Sequence, residues 1–140
     1  NENDVYDENA ERNRLTFGGK YEGKSLVIRS EYITAKTGMG DRTPGEYYIL
    51  NSDGFYVSAG YWFNYTCKKT GVQHKIRPVA RYDFFREDVT EINTNSTYYM
   101  VGIDWWPIQN LRLLVNYTLK DKVANDNFGH LLQAQLSVKF

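Results

Sequence analysis

Long apolar runs are missing from this 140-residue chain: no stretch approaches the roughly 18 residues of a membrane-crossing helix. Mean hydropathy is negative. A helical membrane protein is thereby excluded, but not a β-barrel, whose strands need only every second residue apolar. Net charge is missing too. The 17 Lys and Arg balance 17 Asp and Glu, so composition gives no argument for a nucleic-acid partner. The lone Cys67 cannot make an internal disulfide and identifies no redox compartment. No segment carries a convincing helical period. The opening NENDVYDENAERNR has neither Met nor an apolar core, so no signal peptide is visible, and an exported protein is expected to be a processed chain or a piece of one.

Aromatic residues are abundant, at 16% of the chain, and 12 of the 22 (7 Phe, 12 Tyr, 3 Trp) are Tyr. They lie in runs of period two, the signature of β-strands, in which successive side chains point to opposite faces. The last ten residues, LLQAQLSVKF, are the clearest case: Leu132, Ala134, Leu136, Val138 and Phe140 share one face, and Leu131, Gln133, Gln135, Ser137 and Lys139 the other, polar except at Leu131. Six earlier runs begin near Leu15, Leu26, Phe55, Ile76, Tyr98 and Leu111. Residues 1–11 are expected to be a polar arm or loop, and 12–140 one all-β segment of about seven antiparallel strands. Gly23-Lys24, a polar 66–75 connection and Pro107–Asn110 are expected turns at one end. Long loops over 34–53, 86–95 and 121–128 are expected at the other, the first with a mobile tip, although Tyr47–Leu50 could extend the strand that follows. Pro78 lacks an N–H and is expected at a strand end or bulge.

Strands of about ten residues suit a tilted bilayer crossing. If Phe140 marks the inner end, the apolar faces sort by depth. Tyr21, Phe63, Trp105 and Phe140 lie near the inner end; Tyr32, Phe55, Tyr82, Phe84, Tyr99 and Tyr117 lie near the outer end. Ile28, Val57, Ala59, Ala80, Val101, Ile103, Leu113, Val115, Ala134 and Leu136 lie between them. Two aromatic girdles around an aliphatic band are what a barrel in lipid requires. Phe55 to Phe63 spans about 26 Å of strand, or roughly 20 Å of membrane normal at a tilt of about 40°. The expected fold class is therefore an antiparallel transmembrane β-barrel. A soluble sandwich or lipocalin-like binding barrel explains the period equally well, but not aromatics at both strand ends.

The opposite face would line a lumen. It carries Lys20, Arg29, Arg77, Arg81, Arg112, Lys120 and Lys139 against Glu22, Glu31, Asp83 and Asp104. Basic side chains lower the energy of an anion in a pore, and the arginine fork suits phosphate. Arg29, Arg77, Arg81 and Arg112, with Lys20 and Lys120, are the candidate contacts for small anionic solutes. The other reading of these residues is a cross-strand ladder of opposite charges along a wet wall. No nucleophile elbow, metal-binding His pair or phosphate loop is present, so neither an enzyme nor a bound cofactor is expected.

The runs GFYVSAGYWFN, KIRPVARYDFF and YYMVGIDWWPIQNLRLLVNYTL and the ending LLQAQLSVKF resemble the C-terminal part of the phosphate-selective porin O and P family. The resemblance extends from about Arg14 to Phe140. It implies an outer-membrane protein of a Gram-negative bacterium: a sixteen-stranded barrel, usually trimeric, through which anions or other small solutes diffuse. It also implies that the terminal Phe140 is read by the barrel-assembly machinery. Seven strands fall short of sixteen, so a fragment, or other chains supplying the missing strands, is expected. The family's constriction loop and main anion-binding residues are implied to lie in the absent half. A non-conducting structural component of an outer-membrane complex is the alternative.

Overall fold

The structure, a computed structural model, describes residues 12–40, 47–91, 95–122 and 129–139. Every regular element among them is a strand: β1 (Arg12–Glu22), β2 (Leu26–Gly40), β3 (Tyr47–Tyr61), β4 (Phe63–Thr66), β5 (Gln73–Arg86), β6 (Asn95–Ile108), β7 (Leu111–Lys122) and β8 (Gly129–Val138). They form one antiparallel sheet in the order β1-β2-β3-β5-β6-β7-β8, with β4 also paired to β5. The expected all-β meander is what the chain forms. The expected arm at 1–11 lies outside the described residues.

The third run differs from expectation. It breaks at Trp62 into β3 and β4, which raises seven runs to eight strands. Pro78 supplies the reason. It lies inside β5 rather than at a strand end, and it has no N–H to give. Gly60 pairs with Val79 and Phe63 with Ile76, so the ladder resumes in the same register after lapsing opposite Pro78. The freed Trp62 amide donates instead to the Ser25 carbonyl at 2.8 Å. The proline thus breaks its neighbour and not its own strand.

The long loop expected over 34–53 is a correction. Ile33 to Gly40 pair residue by residue with Gly54 to Tyr47, so both strands run far into that segment. Only 41–46, the tip expected to be mobile, lies outside the described residues. A hairpin wet on both faces needs no apolar alternation, which is why its strands are invisible to periodicity. The 66–75 connection is also shorter than expected. Thr66 pairs with Gln73, leaving Cys67–Val72 as the turn. The Gly71 amide donates to the Cys67 carbonyl at 2.8 Å, with Gly71 at φ 65°, where a Cβ would be strained.

The turns Gly23–Ser25, Cys67–Val72 and Gln109–Asn110 share one end of the sheet, and 41–46, 87–94 and 123–128 join strands at the other. Gly23–Ser25 and Gln109–Asn110 are as short as the inner turns of a barrel, whereas Cys67–Val72 departs from that pattern.

Packing is inverted relative to a protein folded in water. Buried side chains lie on the polar face: Val27 is 6% exposed and Asp104 1%. On the apolar face Val101 is 58% exposed and Leu136 65%. No second layer covers that face among the described residues, as the sandwich reading would need. In lipid such a face costs nothing, because its neighbours are also apolar.

Register gathers aromatics of the apolar face into rows. Phe17, Tyr32, Phe55 and Phe84 form one cross-strand row, which steps down to Tyr82 and Tyr99 and then to Tyr117. Ring centroids along it are 5.7 Å apart for Phe55–Phe84 and Phe55–Tyr82, and 5.3 Å for Tyr82–Tyr99. The downward step is the stagger that tilted strands require. Phe17 joins this belt through pairing alone. At the inner end Tyr61 packs on Phe63 at 4.8 Å, and Phe63, Ile76 and Trp105 share a row. Immediately beyond the outer belt the same face turns polar on β2, β3, β5 and β6 in the single row Thr34, Asp53, Arg86, Asn95, which Leu15 continues on β1. Arg86 grips Asp53 through Nε at 2.8 Å and Nη2 at 2.9 Å. The apolar band therefore ends where charge begins, as at a lipid–water interface.

Candidate pore-lining face

The polar face is built by the alternation that exposes the apolar one. Each strand sends the residues between its lipid-facing positions to the same side. Pairing brings Lys20, Arg29, Ser58, Arg81 and Met100 into one cross-strand row, and Glu31, Tyr56, Asp83, Tyr98 and Lys120 into the next.

Near the inner end, Asp104 sits between two arginines. Arg77, directly opposite on β5, donates to it through Nη2 at 2.7 Å. Arg112 donates through Nε at 2.7 Å and Nη2 at 3.0 Å. The Trp106 indole N–H adds a bond at 3.1 Å. With its oxygens occupied this way, the carboxylate can be buried as a charge. Arg77 lies over the Trp62 ring at 4.4 Å and Arg112 over Trp106 at 5.8 Å. The break at Trp62 and the register shift between Trp105 and Ile108 both occur beside this cluster. Two cations on one anion leave it a net positive charge, and Arg77 Nε is buried with no protein partner.

Nearer the outer end Arg81 binds Asp83 in a fork, at 2.6 to 2.9 Å, and covers the Tyr56 ring at 4.2 Å. Lys120 lies over Tyr98 at 5.0 Å. Lys20 pairs with Glu22 at 2.6 Å, both well exposed. Arg29 faces Lys20 across the ladder and makes no ion pair among the described residues. The six candidate residues thus share one face but differ in state. Arg77 and Arg112 converge on one carboxylate, Arg81 and Lys20 are spent locally, Lys120 caps an aromatic ring, and Arg29 is uncommitted. Phe140 lies outside the described residues.

The alternation of residues placed these side chains on a common face, but not the Asp104 cluster. Its partners come from β5, β6 and β7, and only register says that Arg77 and Arg112 meet at one residue. Also unforeseen is a hollow of about 600 Å³ on the polar face near the outer end, lined by Arg14, Glu31, Ile33, Phe85 and the Arg81–Asp83 pair among others.

In the connections between strands, two described groups are perturbed. A hydrogen bond from Thr70 holds the Cys67 thiol below its ordinary value. The Thr90 hydroxyl and amide, at 2.7 and 2.8 Å, hold the Asp88 carboxyl below its own. Among the described residues no three His, Cys, Asp or Glu groups are placed to hold a metal. His74 stacks near Tyr65 at 6.3 Å, and His130 Nδ1 meets the Tyr117 hydroxyl at 2.7 Å. The two histidines belong to different hairpins.

A family model for phosphate-selective porin O and P matches residues 21–140 of the chain. No curated protein and no solved structure matches it.

Proposed function

Since the chain belongs to the phosphate-selective porin O and P family, and so is of a channel rather than an enzyme kind, we propose that it forms the C-terminal portion of an outer-membrane porin. Small anions such as phosphate pass through its water-filled lumen by diffusion. The observation that carries this reading is the inverted sheet, with an exposed apolar face belted by aromatics on one side and a charged face on the other.

β1 and β8 form the two ends of the sheet among the described residues. An open edge in lipid would leave N–H and C=O groups unsatisfied, at several kcal/mol each. Further strands are therefore needed to close the barrel, and in this reading they come from the rest of the porin.

Among the described residues the lumen face carries more basic side chains (Arg14, Lys20, Arg29, Lys75, Arg77, Arg81, Arg112, Lys120, Lys139) than acidic ones (Glu22, Glu31, Asp83, Asp104). An excess of cations lowers the energy of a passing anion, while ion pairs keep any single site from holding it too tightly. Arg29 contributes an uncompensated charge, whereas Arg81 is cancelled by Asp83. Reversal potentials across a planar bilayer holding the complete porin test this. The expected results are anion preference and a larger loss of it in Arg29→Ala than in Arg81→Ala. An inserted but non-conducting barrel would favour the structural-component reading, and a cation-selective pore would remove the anion claim.

A further inference from the structure

The hollow near the outer end is out of character with the wall around it. A wet, charged lumen has no need of an apolar floor, yet Ile33 and Phe85 form one there. Phe85 is 47% exposed on the polar face. Gly54 permits this floor: a Cβ there would come within 2.9 Å of the Phe84 carbonyl and 3.2 Å of the Phe85 ring. Apolar surface open to a lumen, ringed by a few charged groups, is the usual make-up of a small-molecule site.

The charges on the rim identify the class of ligand. Arg81 and Asp83 satisfy each other in a fork, Asp53 is held by Arg86, and the Tyr56 ring is covered by Arg81. Arg14 and Glu31 are left, one cation and one anion, and neither makes an ion pair among the described residues. An anion such as phosphate would meet Glu31 unfavourably, and a cation would meet Arg14. A zwitterion satisfies both. Its length follows from register. Arg14 faces Ala35, and Glu31 faces Gly18, four residues further along β1, or about 13 Å. The charges of a free amino acid reach both only if the Arg14 and Glu31 side chains bend toward each other along the strands. A tripeptide in extended form spans about 10 Å, and the long Arg14 side chain closes the remainder.

We propose that this hollow is a subsite for short apolar peptides of about three residues. The peptide carboxylate lies on Arg14, its ammonium group on Glu31, and its side chains on Ile33 and Phe85. This rests on the porin reading, in which such solutes enter by the outer mouth, and it adds to anion passage a class of solute that the net charge does not select.

Calorimetry on the complete detergent-solubilised protein tests it, with Ala-Leu-Ala, its N-acetyl form and its C-terminal amide as probes. The free tripeptide is expected to bind saturably, and each cap to weaken binding about tenfold by removing a charge-assisted bond. In Arg14→Gln the amide should bind as well as the acid, while the acetyl effect persists. In Glu31→Gln the pattern should reverse. Phe85→Ser, which removes the apolar floor, should weaken the free and both capped peptides alike, by about tenfold. Equal binding of capped and free peptides, or a loss in either charge variant that ignores which end is capped, overturns the proposal. Bilayer conductance on the same preparations separates the two ideas: binding without conductance defeats the porin reading and leaves the subsite standing, whereas conductance without binding defeats the subsite alone.

Discussion

Asp104 is the residue on which the polar face depends most. It is almost fully buried and holds two arginines and an indole, so its loss leaves two guanidinium groups without their acceptor. Breaking a buried pair costs about 3–5 kcal/mol, which the partly exposed Arg112 reduces to about 2–3 kcal/mol. Asp104→Asn is expected to lower the unfolding midpoint in detergent accordingly, and to strengthen anion preference by releasing positive charge into the lumen. A variant of parental stability would show that the arginines hold nothing in place. Asp88 has a smaller and pH-dependent part. Its folded carboxyl lies below the ordinary value because of Thr90. Its contribution is therefore complete above the unfolded value and lost as pH falls through the folded one. Hydrogen-exchange protection of the Thr90 amide should decline on acidification, and Asp88→Asn should abolish that dependence.

Among the strands, the hairpin of β4 and β5 offers a test of orientation. Its turn carries Cys67, the chain's one cysteine, whose thiol ionises more easily because Thr70 donates to it. The turn shares an end with Gly23–Ser25 and Gln109–Asn110. If that end faces inward, a membrane-impermeant maleimide should label Cys67 in cells with a permeabilised outer membrane and leave it unlabelled in intact cells. Rapid labelling of intact cells would reverse the direction of every strand. The β2–β3 hairpin extends past the outer aromatic belt on the opposite side, where its pairing continues although its apolar period has stopped. Hydrogen bonding holds such a hairpin together without burying a face, so hydropathy alone reads it as loop.

The whole sheet makes sense only in a solvent that accepts apolar side chains. Met100 and Val101 are neighbours in β6 and point to opposite faces. Exposure in water would make either position tolerant, since Val101 is more than half exposed. In a bilayer, Val101→Lys should cost about 2–4 kcal/mol, while Met100→Lys on the lumen face should cost less than about 1 kcal/mol. Folding into lipid vesicles, followed by heat-dependent gel mobility, measures both. Equal tolerance at the two positions would show that the apolar face does not meet lipid. The aromatic rows reinforce the point: they descend from strand to strand with the stagger, so they mark a plane that is level in the membrane rather than level in the ladder.

Period two, by itself, determined that this chain is all β and which residues share a face, because in a strand side-chain direction is a local property. Tyr32, Phe55, Trp105 and the six basic candidates fell on their faces for that reason. Tertiary pairing decided the rest. It broke the third run opposite Pro78, carried β2 and β3 through the segment that reads as loop, and brought Phe17 into the outer belt. It also joined Arg77 and Arg112 at Asp104 while leaving Arg29 alone, and it set Arg14 and Glu31 on either side of an apolar hollow. Those outcomes depend on register between strands far apart in sequence. Register is fixed by the hydrogen-bond ladder as a whole, and no single strand carries it.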